Sequence, residues 1–207
     1  FSWNGISEGA IQRGSSSFGK MRHEGVVLSP QFSVSEDFNT GLVPKFNSIG
    51  EVANPKLNLI EDGKLRQTLV SSRTASEFNL ESNFADSGEY LRAPKMASGN
   101  INASSVVETI GDGLFLSNIH YLNWSDNAGG RVTGLTRYAC FKVKNGELVA
   151  PIETMRFDDT FYRYFGTELE AVGDQTKIIP EIGTYGGRDL GGTVCPGILV
   201  KAFSLTL

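Results

Sequence analysis

The sequence is poor in cysteine and histidine and contains no long apolar run. Its two cysteines, Cys140 and Cys195, lack the close spacing of a C-x-x-C redox or zinc motif. We therefore predict two half-buried thiols in a reducing compartment. No stretch approaches the roughly 18 apolar residues that a membrane-spanning helix needs. Residues 1–5 also lack the basic and apolar regions of a secretory signal. These absences predict a cytoplasmic protein without a membrane partner.

Strong charge of either sign is also lacking. The formal net charge of the 207 residues is -4, and no long basic run is present. Since binding to a phosphate backbone requires clustered lysine and arginine, we predict no nucleic-acid partner. The sequence does not begin with methionine, which indicates a fragment or a processed product. No linker divides it, so residues 1–207 are treated as one region.

Glycine, in contrast, is abundant, with 24 residues, and strand-like runs bounded by turn residues recur along the chain. The predicted fold class is α+β but predominantly β: an antiparallel barrel- or sandwich-like domain with a few short helices. Strands are predicted at 26–28, 31–35, 113–122, 130–136 and 198–205, and helices at 71–79, 104–110 and 158–165. In the last helix, Asp158 and Asp159 would lie in the first turn, where the helix dipole favours them.

Two hairpins give the clearest local signals. Asp62-Gly63 separates two apolar-bearing runs within 57–65, and Asn145-Gly146 does the same within 140–149. Both dipeptides suit a type I′ turn, which requires positive φ at both central residues. Near 157–165, four aromatic residues lie close to helical spacing, and such a stripe is typical of a core face rather than a ligand platform.

No pattern of catalytic residues stands out. His23-Glu24 begins like a zinc-protease helix, but apolar residues occupy the position of the second histidine, and the flanking residues favour a strand. His120 lies in a predicted strand, where a hydrogen-bonded structural role is expected. No G-x-S-x-G elbow occurs, and no local signature supports a Cys–His pair. The adjacent acidic pairs, Glu36-Asp37 and Asp158-Asp159, fit opposite faces of a strand or helix capping better than acid–base chemistry.

One glycine-rich loop is the best candidate for a functional edge. It lacks the lysine and serine of a phosphate-binding loop, but its glycines allow a neighbouring backbone to approach closely. The candidate interface or peptide-binding residues are Thr184, Tyr185, Gly186, Gly187 and Arg188. No metal ligand, cofactor site or catalytic residue is predicted.

Several short segments occur in a distinctive order along nearly the whole chain. They are 28–30, 32–37, 59–65, 113–116, 132–134, 145–147, 151–153 and 172–174. Each segment is weak alone, but in their shared order they resemble the TldD/PmbA family, whose members are also described as modulators of DNA gyrase. The resemblance implies that residues 1–207 correspond to the carboxyl-terminal β-rich region and that the family's amino-terminal α/β half is absent.

The resemblance also bears on catalysis. D-type members look like zinc metalloproteases with a His-Glu-x-x-x-His helix and a later cysteine. By this resemblance, the position of the motif's glutamate corresponds to the neighbourhood of Phe1, that of its second histidine to Gly5 and that of the cysteine to Tyr185. None of these residues can serve as a zinc ligand. Cys195 lies closer to a cysteine of E-type members, which lack the zinc ligands and accompany a D-type partner.

The resemblance therefore implies a non-catalytic, E-like subunit of a peptidase complex that processes small or unfolded peptides. Its expected partners are a D-type zinc peptidase subunit, or further copies of itself, and a peptide substrate. Two alternatives stay open. One is an active zinc metallopeptidase with its ligands in the missing amino-terminal half, and the other is a binding module that modulates DNA gyrase.

Overall fold

The structure, a computed structural model, describes residues 6–184 and 186–206. The helices are α1 (Glu8–Gln12), α2 (Gly19–His23), α3 (Ser72–Phe78) and α4 (Val106–Ile110), with 3-10 turns at Phe38–Thr40 and Ala103–Ser105 and a π turn at Arg163–Thr167. The strands are β1 (Val34–Asp37), β2 (Lys56–Glu61), β3 (Lys64–Leu65), β4 (Pro94–Met96), β5 (Gly113–Asp126), β6 (Arg131–Lys144), β7 (Glu147–Pro151), β8 (Arg156–Thr160), β9 (Leu169–Pro180), β10 (Gly192–Val200) and β11 (Leu205–Thr206).

The strands form two sheets. The first has six strands in the order β3-β2-β1-β4-β10-β9, and its β10–β4 pair is parallel. The second has the order β11-β8-β6-β5, and β7 pairs with the distal part of β6. The predicted β-rich fold with a few short helices is confirmed. The described strands stay open at their edges and do not close into a barrel.

The main core lies between the first sheet, the two amino-terminal helices and the segment that follows β8. Phe18, Leu59 and Val172 are completely buried there, and the ring of Phe18 stacks on that of Phe161 with centroids 4.8 Å apart. Burial of a large apolar side chain contributes about 1.5–3 kcal/mol. The aromatic stripe is buried as predicted. Phe161 belongs to this core, whereas Phe157 and Tyr164 are buried against each other and against Phe203.

Both predicted hairpins are present. Asp62 and Gly63 have φ of 49° and 73°, and Asn145 and Gly146 have φ of 51° and 75°, as a type I′ turn requires. The helix predicted at 71–79 is also confirmed. Ser71 caps α3 by accepting a hydrogen bond from the Thr74 amide, and Asn79 closes the helix in the left-handed conformation.

Other predicted elements are wrong or shifted. Residues 158–160 belong to strand β8, because Thr133 of β6 pairs with Asp158 and main-chain pairing prevails over the dipole preference of two aspartates. Residues 26–28 are not a strand, and His23 instead ends helix α2. The strand predicted at 31–35 begins at Val34, and the one predicted at 198–205 is divided between β10 and β11.

Candidate functional site

The candidate site lies at the outer edge of the first sheet, where β9 and β10 form a long hairpin. Its distal ladder pairs Pro180 with Gly192, Ile178 with Val194 and Thr176 with Pro196. Segment 181–191 joins the two strands and is called the tip loop. Residues 174–180 are called the β9 edge, because β9 is the last strand of the sheet.

Gly192 explains why the two strands approach so closely beside the tip loop. A Cβ atom at this position would lie 2.5 Å from the carbonyl oxygen of Ile179. Because that oxygen belongs to the backbone, a side chain here would force the strands apart. The Glu181 amide donates to the Gly191 carbonyl at 3.0 Å, which extends the ladder into the loop.

Large apolar side chains surround the tip loop without being buried. Ile178 is 59% exposed, Ile179 57%, Ile182 82% and Leu190 70%. Adjacent residues of a strand point to opposite faces, so Ile178 and Ile179 expose apolar surface on both sides of the ribbon. Large apolar side chains exposed close together in the sequence in this way are a feature of interaction sites.

The β9 edge offers backbone hydrogen-bonding groups as well as apolar side chains. Because Glu181 bonds inward to β10 and the ladder alternates, Ile179 and Lys177 also bond inward, whereas Ile178 and Thr176 point outward. The Asp174 amide fits this alternation, since it donates outward to the Ile101 carbonyl at 2.8 Å. Beyond Asp174, no described strand covers the edge.

The predicted interface residues lie in the tip loop. Thr184, Gly186, Gly187 and Arg188 are all exposed, and Tyr185 lies outside the described residues. Their role stays a prediction. Sequence reasoning found the glycines but missed the apolar residues on either side of them, although Ile178-Ile179 and Leu190 were visible as flanking signals.

The histidines and cysteines are not brought together. His23 is exposed at the end of α2, and His120 is exposed in β5 against the ring of Tyr121, without the protein hydrogen bond expected for it among the described residues. Cys140 is buried in β6, where its thiol donates to the Arg137 carbonyl at 3.2 Å. Cys195 is in the other sheet, and burial raises the pKa of its thiol, which disfavours the reactive thiolate.

The adjacent carboxylates Glu36 and Asp37 lie on β1 with opposite environments. Burial is the largest influence on Glu36 and raises the pKa of its carboxyl. Burial also acts on Asp37, but hydrogen bonds from Lys95, whose Nζ is 3.0 Å away, and from Asn39 outweigh it and lower the pKa. Since neighbouring strand residues face opposite ways, the two groups do not share one substrate site.

Asp158 and Asp159 are held by separate arginines. Arg131 Nε lies 2.6 Å from Asp158 Oδ1, and the Arg163 guanidinium pairs with Asp159. These ion pairs fix β8 to β6 and to the following turn. Across residues 6–184 and 186–206, no group of three or more His, Cys, Asp or Glu side chains is arranged to hold a metal ion. None of the helices in the described ranges has the length and apolarity needed to cross a bilayer.

Comparison with known proteins places these features in a family context. A family model described as the PmbA/TldA metallopeptidase C-terminal domain matches residues 1–207. Among curated proteins, no relative matches this sequence.

Solved structures share the fold at low sequence identity. A proposed modulator of a DNA gyrase from Thermotoga maritima is 17% identical with a TM-score of 0.76, and TldE from Thermococcus kodakarensis is 14% identical with a TM-score of 0.76. A proposed modulator of DNA gyrase from Bacteroides thetaiotaomicron is 14% identical with a TM-score of 0.73. Each likeness covers 97% of this chain but only 45%, 45% and 42% of the respective neighbour. The chain therefore spans less than half the length of these proteins.

Proposed function

Because this chain belongs to the PmbA/TldA metallopeptidase C-terminal domain family, we propose that it is a non-catalytic, E-like subunit of a cytoplasmic TldD/TldE-type zinc peptidase complex. The observation that supports this proposal is the exposed apolar surface around the tip loop, which a subunit working alone would not need. Ile182 and Leu190 are the most exposed members of that surface. Their burial against a partner would supply the apolar centre of an interface.

The tip loop would contact a D-type partner, whose zinc would polarise the peptide carbonyl and activate water. Thr184, Gly186, Gly187 and Arg188 lie in this loop, and the glycines let a neighbouring backbone approach. This chain would form one wall of the peptide chamber. Strand β5 is the end strand of the second sheet and runs for 14 residues. Such an edge can bind an extended peptide through main-chain hydrogen bonds.

Co-expression with a D-type zinc homologue tests the proposal. The complex should cleave unfolded peptides and lose that activity with a chelator, whereas this chain alone should show no cleavage. Replacing Ile182 and Leu190 by serine should weaken copurification with the D-type subunit at least tenfold. The matched control replaces Leu148 and Val149 by serine, since these residues of β7 are 48% and 52% exposed on the other sheet. Chelator-sensitive cleavage by the isolated protein would contradict the non-catalytic role.

Two solved neighbours are described as proposed modulators of DNA gyrase, and this favours a second candidate function for the chain. Under this alternative the same tip loop binds gyrase rather than a peptidase subunit. Parallel pull-downs with gyrase and with a D-type subunit separate the two functions. The other alternative, an active metallopeptidase with ligands outside this region, predicts stoichiometric zinc in the full-length protein purified without a partner.

A further inference from the structure

We propose that the β9 edge pairs with the same edge of a second copy of this chain, in antiparallel register centred on Ile179. The edge is open over residues 175–180, whereas segment 99–101 covers the preceding residues through hydrogen bonds to Val172 and Gly173. The outward groups available beyond Asp174 are the N–H and C=O of Thr176 and Ile178 and the C=O of Pro180. An unpaired edge of this kind is a template for another strand.

The register follows from the charges along the edge. With Ile179 on the two-fold axis, Lys177 of each copy lies opposite Glu181 of the other, which continues the ladder one residue beyond β9 through its bond to Gly191. The Glu181 carboxylate accepts a hydrogen bond from the Gly183 amide at 2.7 Å through one oxygen, and the other oxygen can accept from Lys177. A register centred on Lys177 would place two like charges opposite each other, which is destabilising. A register centred on Ile178 would place Lys177 opposite Ile179 and lose the charge pair. Charge complementarity therefore selects a second copy and the register centred on Ile179.

The backbone of the β9 edge accommodates this register. Ile178 and Pro180 both point outward, so the Ile178 N–H of each copy can donate to the Pro180 C=O of the other. Proline has no N–H to offer, but it is tolerated on an edge strand. The two Ile179 side chains meet at the axis as a non-hydrogen-bonded pair, where side chains approach most closely. This contact would bury side chains that are 57% exposed in the single chain.

The other long edge is less suited to pairing with a copy. Strand β5 has register shifts at three places, one of them at Tyr121, whose φ is 53°. Bulges of this kind interrupt a long regular ladder between two copies, although the regular stretches between them can still pair with a short peptide. The inference goes beyond the proposed function, because pairing through β9 requires no D-type subunit. Since Ile182 of each copy lies opposite Thr176 of the other in this register, a second copy and a D-type subunit would compete for the tip loop, whereas the β5 edge stays available to a peptide.

Sedimentation equilibrium of the full-length protein without any D-type subunit tests the pairing. The wild-type protein should form a dimer. Lys177→Glu and Glu181→Lys should each raise the dimer dissociation constant at least tenfold, because each variant opposes like charges. The double variant with both changes restores the charge pairs and should recover most of the affinity. A monomeric wild type, or single variants that dimerise normally, would overturn the proposal.

A cysteine on the two-fold axis provides an independent test. Opposite residues of a non-hydrogen-bonded pair have Cβ atoms about 4.5–5.5 Å apart, close to the separation of a disulfide. Ile179→Cys should therefore give a covalent dimer under mild oxidation. Val149→Cys, which is 52% exposed on β7, serves as the matched control and should not. Equal cross-linking of the two variants would contradict the register, and it would leave the proposed peptidase role untouched.

Discussion

One oxygen of the Glu36 carboxylate accepts a hydrogen bond from the Arg92 amide at 2.8 Å, whereas the other oxygen has no partner among the described residues. Glu36 is only 3% exposed and lines a cavity of about 10 Å³. A cavity of that size holds about one water molecule. Burial is the main cause of its raised carboxyl pKa, opposed by the amides of Arg92 and Ala93 and by the Arg92 charge.

The raised pKa of Glu36 predicts a specific pH dependence of stability. A folded-state pKa above the unfolded value means that the folded protein holds the proton more tightly. The stabilisation from this group is therefore complete below the unfolded pKa and is lost as the pH rises through the folded pKa. Glu36→Gln, which stays neutral, should raise the free energy of unfolding at pH 8 by about 1 kcal/mol. The gain should shrink toward pH 4, as urea titrations at both pH values would show.

The control for Glu36→Gln is Glu24→Gln, an exposed residue after helix α2. Its free energy of unfolding should change by less than about 0.5 kcal/mol at either pH. A destabilised Glu36→Gln with no pH dependence would show that the second oxygen is satisfied in solution, by water or by Arg92.

Glu89 joins the amino termini of helices α1 and α3. Its carboxylate accepts hydrogen bonds from the Gly9 amide at 2.9 Å and from the Ser71 amide at 2.8 Å. The Ser7 and Ser71 hydroxyls also donate to it. Removing the carboxylate leaves at least the two buried amides unpaired, each at a cost of about 1–3 kcal/mol. Glu89→Ala should therefore lower the free energy of unfolding by about 2–5 kcal/mol in urea titrations. The matched control is Glu77→Ala, since Glu77 is half exposed and lies 3.8 Å from Arg13.

The pH dependence of Glu89 should have the opposite sign to that of Glu36. Burial would raise its pKa, but hydrogen bonds from Ser7, Ser71, Thr74 and Gly9 outweigh burial and lower it. Its stabilisation is therefore present above the unfolded pKa and is lost as the pH falls through the folded pKa. The difference between wild type and Glu89→Gln should be largest at neutral pH and should narrow toward pH 3. A difference that stays constant with pH would contradict this assignment.

Local signals explain which parts of the fold could be predicted. The turns at Asp62-Gly63 and Asn145-Gly146, and the cap at Ser71, depend on backbone preferences within a few residues, and all three are present. The first three residues of the helix predicted at 158–165 belong instead to strand β8, and the helical turns follow from residue 161. The two aspartates satisfy a local rule for helices, whereas the pairing of β8 with β6 depends on residues about 25 positions away. The spacing of apolar residues within one segment does not indicate which distant segment that strand will pair with.

Strand β9 shows why the candidate site was only partly predicted. Its distal half is exposed on both faces, so it lacks the alternation of apolar and polar residues by which a half-buried strand is recognised. The glycines of the tip loop could be recognised in the sequence, but the exposed strand edge beside them could not be predicted. The covering of that edge by segment 99–101 also could not be inferred, since the contact joins distant parts of the chain.

Gly192 and Gly186 offer a matched pair for testing how the β9 edge is held. An added Cβ at Gly192 would lie 2.5 Å from the Ile179 carbonyl oxygen, whereas one at Gly186 would meet nothing within 4 Å. Gly192→Ala should therefore separate the distal strands, at a cost of about 1–3 kcal/mol for overpacking. Hydrogen exchange should report this cost locally, as faster exchange of the Lys177 and Ile179 amides, which bond inward to β10. Gly186→Ala should exchange like the wild type. Equal protection of both amides in the two variants would mean that the close approach at Gly192 does not hold the edge in place. The tip loop would then be what keeps the edge ordered.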